Sequence, residues 1–337
     1  MMITKKLSIL IFGVIGIAFF LNGLLSGSAH AQKAIEWRML CAWGPEYVVV
    51  RNSIIPFVEK VNQRAAGRLK ISWVGPEAVP PFEQFKPVRE GIFDAVLTHS
   101  AYHIGEVAGG SGMDLFSATA KERRAAGLYK ILDEAYRKKG NVSYFGAMVG
   151  GVGYQLLLKK KLDKADLTGL KIRTSPFYDP MVKGLGGAPV RTSQGEIYSA
   201  LEKGVVDGAT WTSFGMTDYK MHEVVKYIVK PRFGEVVSPV LVNLNSWNRL
   251  SKDLQDLLTE IEIEIEEKYR TAMIATVENE DKELQKLGME FLTLPPKEAE
   301  KFLSTFYERS WEELVLKRDP EFGPRLKEAA DRMKTGR

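Results

Sequence analysis

One cysteine in 337 residues, Cys41, has no partner for an intramolecular disulfide, so the fold must be held by its hydrophobic cores. Cys41 lies in the apolar stretch "WRMLCAW" and is expected to pack as a small buried hydrophobe. Histidine is scarce as well, at four residues. The sequence has no H-E-x-x-H, no G-x-S-x-G and no reactive-cysteine signature, and the expectation is that the protein is not an enzyme. His99 and His103 are four residues apart, but no Glu follows the first and no third ligand accompanies them, so no metal and no cofactor are expected. "GLGGAP" (184–189) lacks the Lys and Ser/Thr of a phosphate loop and reads as a turn. The formal net charge is only +5, too weak and too dispersed for nucleic acid as a partner. There is no low-complexity tract, charged tail or internal repeat. Hydrophobic residues make up 45% and charged residues 26%, as in a globular protein long enough for two cores.

Lys5 and Lys6 precede an uncharged, mostly apolar run from Leu7 to Leu25, and "SGSAHAQ" follows. Ala29 and Ala31 are spaced as a small-x-small cleavage site. This predicts a secretory signal over residues 1–31, cut after Ala31. The run is long enough to suggest an uncleaved anchor, but Gly13, Gly16 and Asn22 dilute it. Cleavage removes two lysines and leaves a net charge of +3, from 45 basic and 42 acidic residues.

Strand-like and helix-like stretches alternate. "AIEWRMLCAW" (34–43) reads as a strand, and a long helix should follow, with Ile54, Phe57, Val58 and Val61 on one face. "RLKISWV", the Val96–Leu97 stretch, "VSYFGAMVGG", "GYQLLLKK", "GLKIRT", "GAPVRT", "VVDGATWTS" and "SPVLVNLNSW" read as further strands. The last of these returns toward the first half. A helix is predicted over 120–140. Another is predicted from Lys252 to Leu287, without Pro or Gly and long enough to span two lobes. The pattern predicts an α/β protein of two lobes with a cleft between them. Ligands in such folds sit beyond the carboxyl ends of strands. The loops there hold Trp43 and Glu46, Ser100 and Tyr102, Arg173 and Phe177, and Trp211 and Phe214. Glu46 would repel an anion and is read as a cap of the helix after it or a partner for a ligand amine or hydroxyl. For Arg173, just before the bend "SPFYDP", two readings are open on the residues alone. It is either a structural arginine paired with Asp179 or Asp207, or a cleft cation.

"DLTGLKIRT", "GGAPV", "EIYSALEKGVVDGA" and "VNLNSWNRLSKDLQDLL" occur in order, and with this spacing the chain resembles the solute-binding proteins of tripartite ATP-independent periplasmic (TRAP) transporters, of the dicarboxylate (DctP) type. The resemblance implies a two-lobed periplasmic binding protein fold with crossing hinge strands and a lobe-spanning helix. It places the main part of one lobe at 32–155 and of the other at 156–240. It gives 241–337 to a return strand, the spanning helix and C-terminal helices packed on both lobes. It implies a periplasmic receptor that closes on a small organic acid and delivers it to the small and large membrane subunits of a sodium-driven permease. A ligand-binding subunit of a membrane sensor, or a C4-dicarboxylate or sugar-acid receptor of the same fold, is the alternative.

The resemblance also assigns Arg173 to the ligand carboxylate. The chemistry agrees, because a guanidinium's parallel N–H donors match two carboxylate oxygens. Trp211 stands where many members carry Asn, and it favours a compact or planar monoacid. Thr210 stands where metal-bridging relatives carry Glu, and a neutral hydroxyl is a poor ligand for a hard cation. Gln155 falls near a second polar or basic contact of the family, and no second arginine occurs there. Phe177 is preferred over Tyr178 as the aromatic facing the cleft. The expected ligand is a monocarboxylate with a 2-keto, 2-hydroxy or aromatic group, held without a metal by Arg173, Trp211, Phe177, Gln155, Tyr102, Ser100, Trp43 and Phe214.

Overall fold

The computed structural model describes residues 34–335, so the predicted signal over 1–31 lies outside the described residues. The strands are β1 (Ile35–Cys41), β2 (Leu69–Val74), β3 (Ala95–Leu97), β4 (Val142–Val149), β5 (Tyr154–Leu158), β6 (Lys171–Thr174), β7 (Ala188–Arg191), β8 (Gly208–Thr212), β9 (Tyr227–Phe233), β10 (Val237–Asn243) and β11 (Glu290–Thr293). They form two sheets, one ordered β2-β1-β3-β10-β4 and the other β11-β9-β5-β8-β6-β7. β1 runs parallel to β3, and β6 runs parallel to both β7 and β8. β10 returns from the second half and lies antiparallel between β3 and β4. The architecture is the two-lobed α/β fold with crossing strands that the sequence predicts.

The chain crosses between the sheets twice in extended form, through Gly150–Gly153 and through Gly234–Val236. The crossings lie side by side. Gly150 N donates to Val236 O at 3.1 Å, and Val236 N donates to Val152 O at 2.8 Å. A Cβ on Gly153 would sit 2.8 Å from the Phe233 carbonyl oxygen and 2.9 Å from that of Gly234, so this approach needs glycine. The third crossing is the helix Lys252–Lys286. Its first half packs on β4 and on the helix Ile54–Arg64. Farther along, Asp281 pairs with Arg232 of β9 at 2.5 Å, and Leu284 enters the core of the second sheet with Leu157, Ile197, Leu201 and Trp211.

Local chemistry breaks two helices read as continuous. The first consists of Val48–Asn52 and Ile54–Arg64. Pro56 has no N–H to give the carbonyl of Asn52, so the ladder is interrupted at Ser53. The second is split at Gly127, whose φ of 79° is left-handed, into Ala120–Ala125 and Leu128–Gly140. β9 and β11 are additions to the predicted set. Pro231 disguises β9, and the ladder accommodates it at an irregularity where Gln155 has no registered partner on β9. Cys41 is fully buried, and burial pushes its thiol up to about 12, leaving it inert at neutral pH.

Candidate functional site

Period-two alternation along β6 sends Ile172 into the core and Arg173 to the opposite face, at the strand's carboxyl end. Arg173 opens onto a cavity between the two sheets, and only 6% of it is exposed. Its Nη1 donates to the Thr210 carbonyl at 3.3 Å and its Nη2 to the Thr192 carbonyl at 2.8 Å, while Nε has no partner. Among the described residues no carboxylate pairs with it. Both acids proposed as structural partners are engaged elsewhere. Asp179 accepts from Thr174 and Arg191, and Asp207 accepts from the Lys171 backbone N–H at 2.8 Å. Burial pushes the guanidinium below its ordinary value, yet an arginine stays charged at neutral pH. A buried cation without an acidic partner, its fork held by two carbonyls, has the chemistry to pair with an anion.

The facing wall is aromatic. Trp43 and Tyr47 follow β1, and Tyr102 sits on the turn Ser100–His103 after β3. Trp43 reaches across, and its Nε1 donates to Gln194 Oε1 at 3.0 Å. Tyr47 Oη meets Thr212 Oγ1 across the cleft at 3.0 Å. Behind them His99 takes the Ala101 N–H on Nδ1 at 3.2 Å, so Nε2 carries the proton toward Tyr154 Oη at 3.0 Å and Asp114 Oδ1 at 3.3 Å. Asp114 Oδ1 also accepts from Tyr154 Oη at 2.5 Å and from the backbone of Val237 at 3.0 Å, which ties the cavity floor to a crossing strand. About 40 Å³ is open to the centre of a water-sized sphere, room for a few waters.

Five of the eight predicted site residues line this cavity: Arg173, Trp211, Tyr102, Trp43 and Phe214. Trp211 contributes its ring, because its Nε1 is already bound to the Phe214 carbonyl at 3.0 Å. Phe177, Gln155 and Ser100 are absent from the lining. Phe177 is fully buried against Tyr154 and Tyr178 at 5.1 Å and Phe306 at 5.7 Å. Tyr178 lines the cavity in its place, the ring with a polar tip taking the wetter side of the bend. Gln155, in the middle of its sheet, gives Nε2 to Met216 Sδ at 3.2 Å and takes Arg232 Nε at 3.1 Å. The Ser100 hydroxyl is engaged by Tyr136. The Thr210 hydroxyl donates to the Arg173 carbonyl at 3.0 Å and so fixes the strand end. Glu46 is not a side-chain cap, since Val48–Asn52 starts from Tyr47 with no capping hydrogen bond.

His103 is buried with Nε2 at 2.8 Å from Tyr136 Oη, and burial lowers its pKa to about 3. Among the described residues no group of three His, Cys, Asp or Glu could hold a metal ion. Sequence reasoning missed Tyr47, Gln194 and Thr212, which lie in the loop after β1, in the loop after β7 and at the end of β8. Their placement beyond strand ends was the available signal.

The model of bacterial extracellular solute-binding proteins, family 7 (DctP), matches residues 44–317. A monocarboxylate 2-oxoacid-binding periplasmic protein of Nostoc sp. (strain PCC 7120) is 27% identical over 244 residues, which is 68% of this chain and 66% of the relative. The match thus spans just under two thirds of that relative's length. A TRAP periplasmic solute-binding protein of Desulfovibrio salexigens with bound orotic acid superposes with a TM-score of 0.79 at 18% identity, covering 88% of this chain and 97% of the other. A TRAP transporter solute-binding protein of Bordetella bronchiseptica RB50, with copurified calcium and picolinate, gives a TM-score of 0.79 at 22% identity, covering 90% and 93%.

Proposed function

This chain belongs to family 7 of the bacterial extracellular solute-binding proteins, a family of transport receptors, and we propose that it receives a compact monocarboxylate in the interlobe cleft. A 2-keto, 2-hydroxy or aromatic acid fits best. The receptor works in the periplasm, after loss of residues 1–31, and hands its ligand to the two membrane subunits of a sodium-driven TRAP permease.

The observation that carries this reading is Arg173, buried at the cleft with no acidic partner. A charge-assisted pair there contributes about 1.5–3 kcal/mol net. Arg173 is also the one arginine or lysine among the described lining residues, which suits one carboxylate better than two. The small cavity and its ring-lined wall suit a planar or short acid, in keeping with the name of the Nostoc relative. The picolinate complex of the Bordetella protein contains calcium. Here the Thr210 hydroxyl is committed to the Arg173 carbonyl, which supports binding without a bridging cation.

A thermal-shift screen in chelator tests the reading. Pyruvate, lactate and picolinate are compared with succinate and glucuronate. An acid at 100 times its dissociation constant stabilises by about 2.7 kcal/mol. A response confined to succinate or glucuronate overturns the substrate class. A response lost in chelator overturns the metal-free site.

A further inference from the structure

Beyond the cavity rim, a second set of bonds joins the lobes without lining the cavity. Asp218 lies in the loop after β8. Its Oδ2 accepts from the backbone N–H of Val48 at 3.3 Å, and its Oδ1 accepts from Arg51 Nη2 at 3.4 Å. Val48 and Arg51 belong to the turn of helix that follows β1, on the other lobe. Arg51 also holds the Glu46 carbonyl through Nη1, so the cation is aimed before it meets Asp218.

The loop that carries Asp218 is itself fixed. Glu280, on the long helix and buried, accepts from Gly215 N at 2.7 Å and from Thr217 N and Oγ1 at 2.8 Å each. Gly215 is left-handed at φ 76°, and a Cβ there would lie 2.6 Å from the Tyr47 ring. A closely fitted loop, anchored from behind, therefore presents one carboxylate to the opposite lobe.

We propose that Asp218 is a positioning residue that holds the lobes together and thereby sets the rate of ligand release, with Glu280 placing its loop. The inference rests on the functional reading above only for the existence of a cleft ligand. Arg51 and Asp218 stand outside the cavity lining, so changing them alters closure without changing what the ligand touches. The Arg51 side chain is 47% exposed and that of Asp218 is 20% exposed, so the latch is weak enough to open and sensitive to salt.

The test uses spin labels on Lys70→Cys and Lys203→Cys. Both sites are exposed, one on each lobe, and Cys41 is buried away from the label. Without ligand, the otherwise unmodified protein should show a short-distance closed component, and 10 mM pyruvate should enlarge it. Asp218→Asn should remove at least half of the ligand-free component, and Arg51→Gln should do the same. With pyruvate as probe, stopped-flow tryptophan fluorescence should show release about three to ten times faster in Asp218→Asn, with association changed less than twofold. The melting temperature should stay within about 1 °C, since Asp218 supports no core. Unchanged distances in Asp218→Asn, with or without a lower melting temperature, overturn the proposal, as does a ligand-free protein with no closed component. If pyruvate does not bind, the functional reading is judged by the wider acid screen, and the ligand-free distances still decide the latch.

Discussion

The cleft wall built from the ends of β6, β7 and β8 supplies a fixed cation, whereas the wall after β1 and β3 supplies rings and hydroxyls. Arg173 stands on a strand, in register with Ala209 and Val190, and two carbonyls hold its guanidinium. Trp43, Tyr47 and Tyr102 stand on loops and turns. Their rings meet at 6.0–6.2 Å with tilted planes rather than in one stack. On the proposed reading the rigid wall grips a carboxylate before the lobes meet, and the aromatic wall then removes water from the pair and strengthens it. Anchoring and covering are thus divided between the lobes, and they should fail in different ways.

Removing the anchor should have the largest effect. Arg173→Ala is expected to weaken binding more than about 100-fold, because closure would bury an unpaired carboxylate. Arg173→Lys keeps the charge, loses the fork, and should weaken binding about tenfold. Neither should lower the melting temperature of the ligand-free protein by more than a few degrees, since Arg173 has no ion pair to lose. Calorimetry and melting curves on the same samples check this. Full affinity in a stable Arg173→Ala protein would erase the distinction between the walls.

Removing the cover should cost less. Trp43→Ala deletes one ring and the cross-cleft bond to Gln194, and should weaken binding about tenfold, mostly through faster release. Equal losses in Trp43→Ala and Arg173→Ala would mean that both walls bind as one unit.

The same division decided what could be read from sequence. Arg173 and Trp211 lie near the ends of strands, Phe214, Tyr102 and Trp43 follow strands, and the structure brings them around one cavity. The strand-end rule names a loop but not the direction of a side chain around a bend, so it did not separate Phe177 from Tyr178. Only the family resemblance points to Gln155. Its place in an inner strand, opposite Trp211, depends on strand pairing that no local pattern encodes. Tyr47 and Gln194 matter because two distant loops meet, and β9 was hidden by Pro231. The long helix was legible almost to the residue, since its apolar face and the glycine after it are local signals.

Behind the two walls the long helix repeats the contrast with buried acids. Glu280, behind the loop of the second lobe, has three donors. Glu262, beneath the first sheet, has none for either oxygen and is 1% exposed, against Gly146 and beside Phe57 and Met148. Burial raises its pKa well above the ordinary carboxyl value, the neighbouring Glu266 adds to the rise, and Arg124 opposes it. A folded-state pKa above the unfolded value means that Glu262 costs no stability at pH below about 4.5, where it is protonated in both states. Its penalty grows as pH rises above 4.5 toward the folded pKa, because unfolding then releases a proton. Glu262→Gln keeps the shape and removes the titration. The variant should therefore match the parent near pH 4.5 and exceed it by about 1–2 kcal/mol at pH 8. The melting difference should widen by about 2–4 °C per kcal/mol. Denaturant melts across that range check the sign. A parent that gains on the variant as pH rises would mean that the Glu262 carboxylate is charged and paired in the folded protein, and the contrast between the two buried acids would be lost.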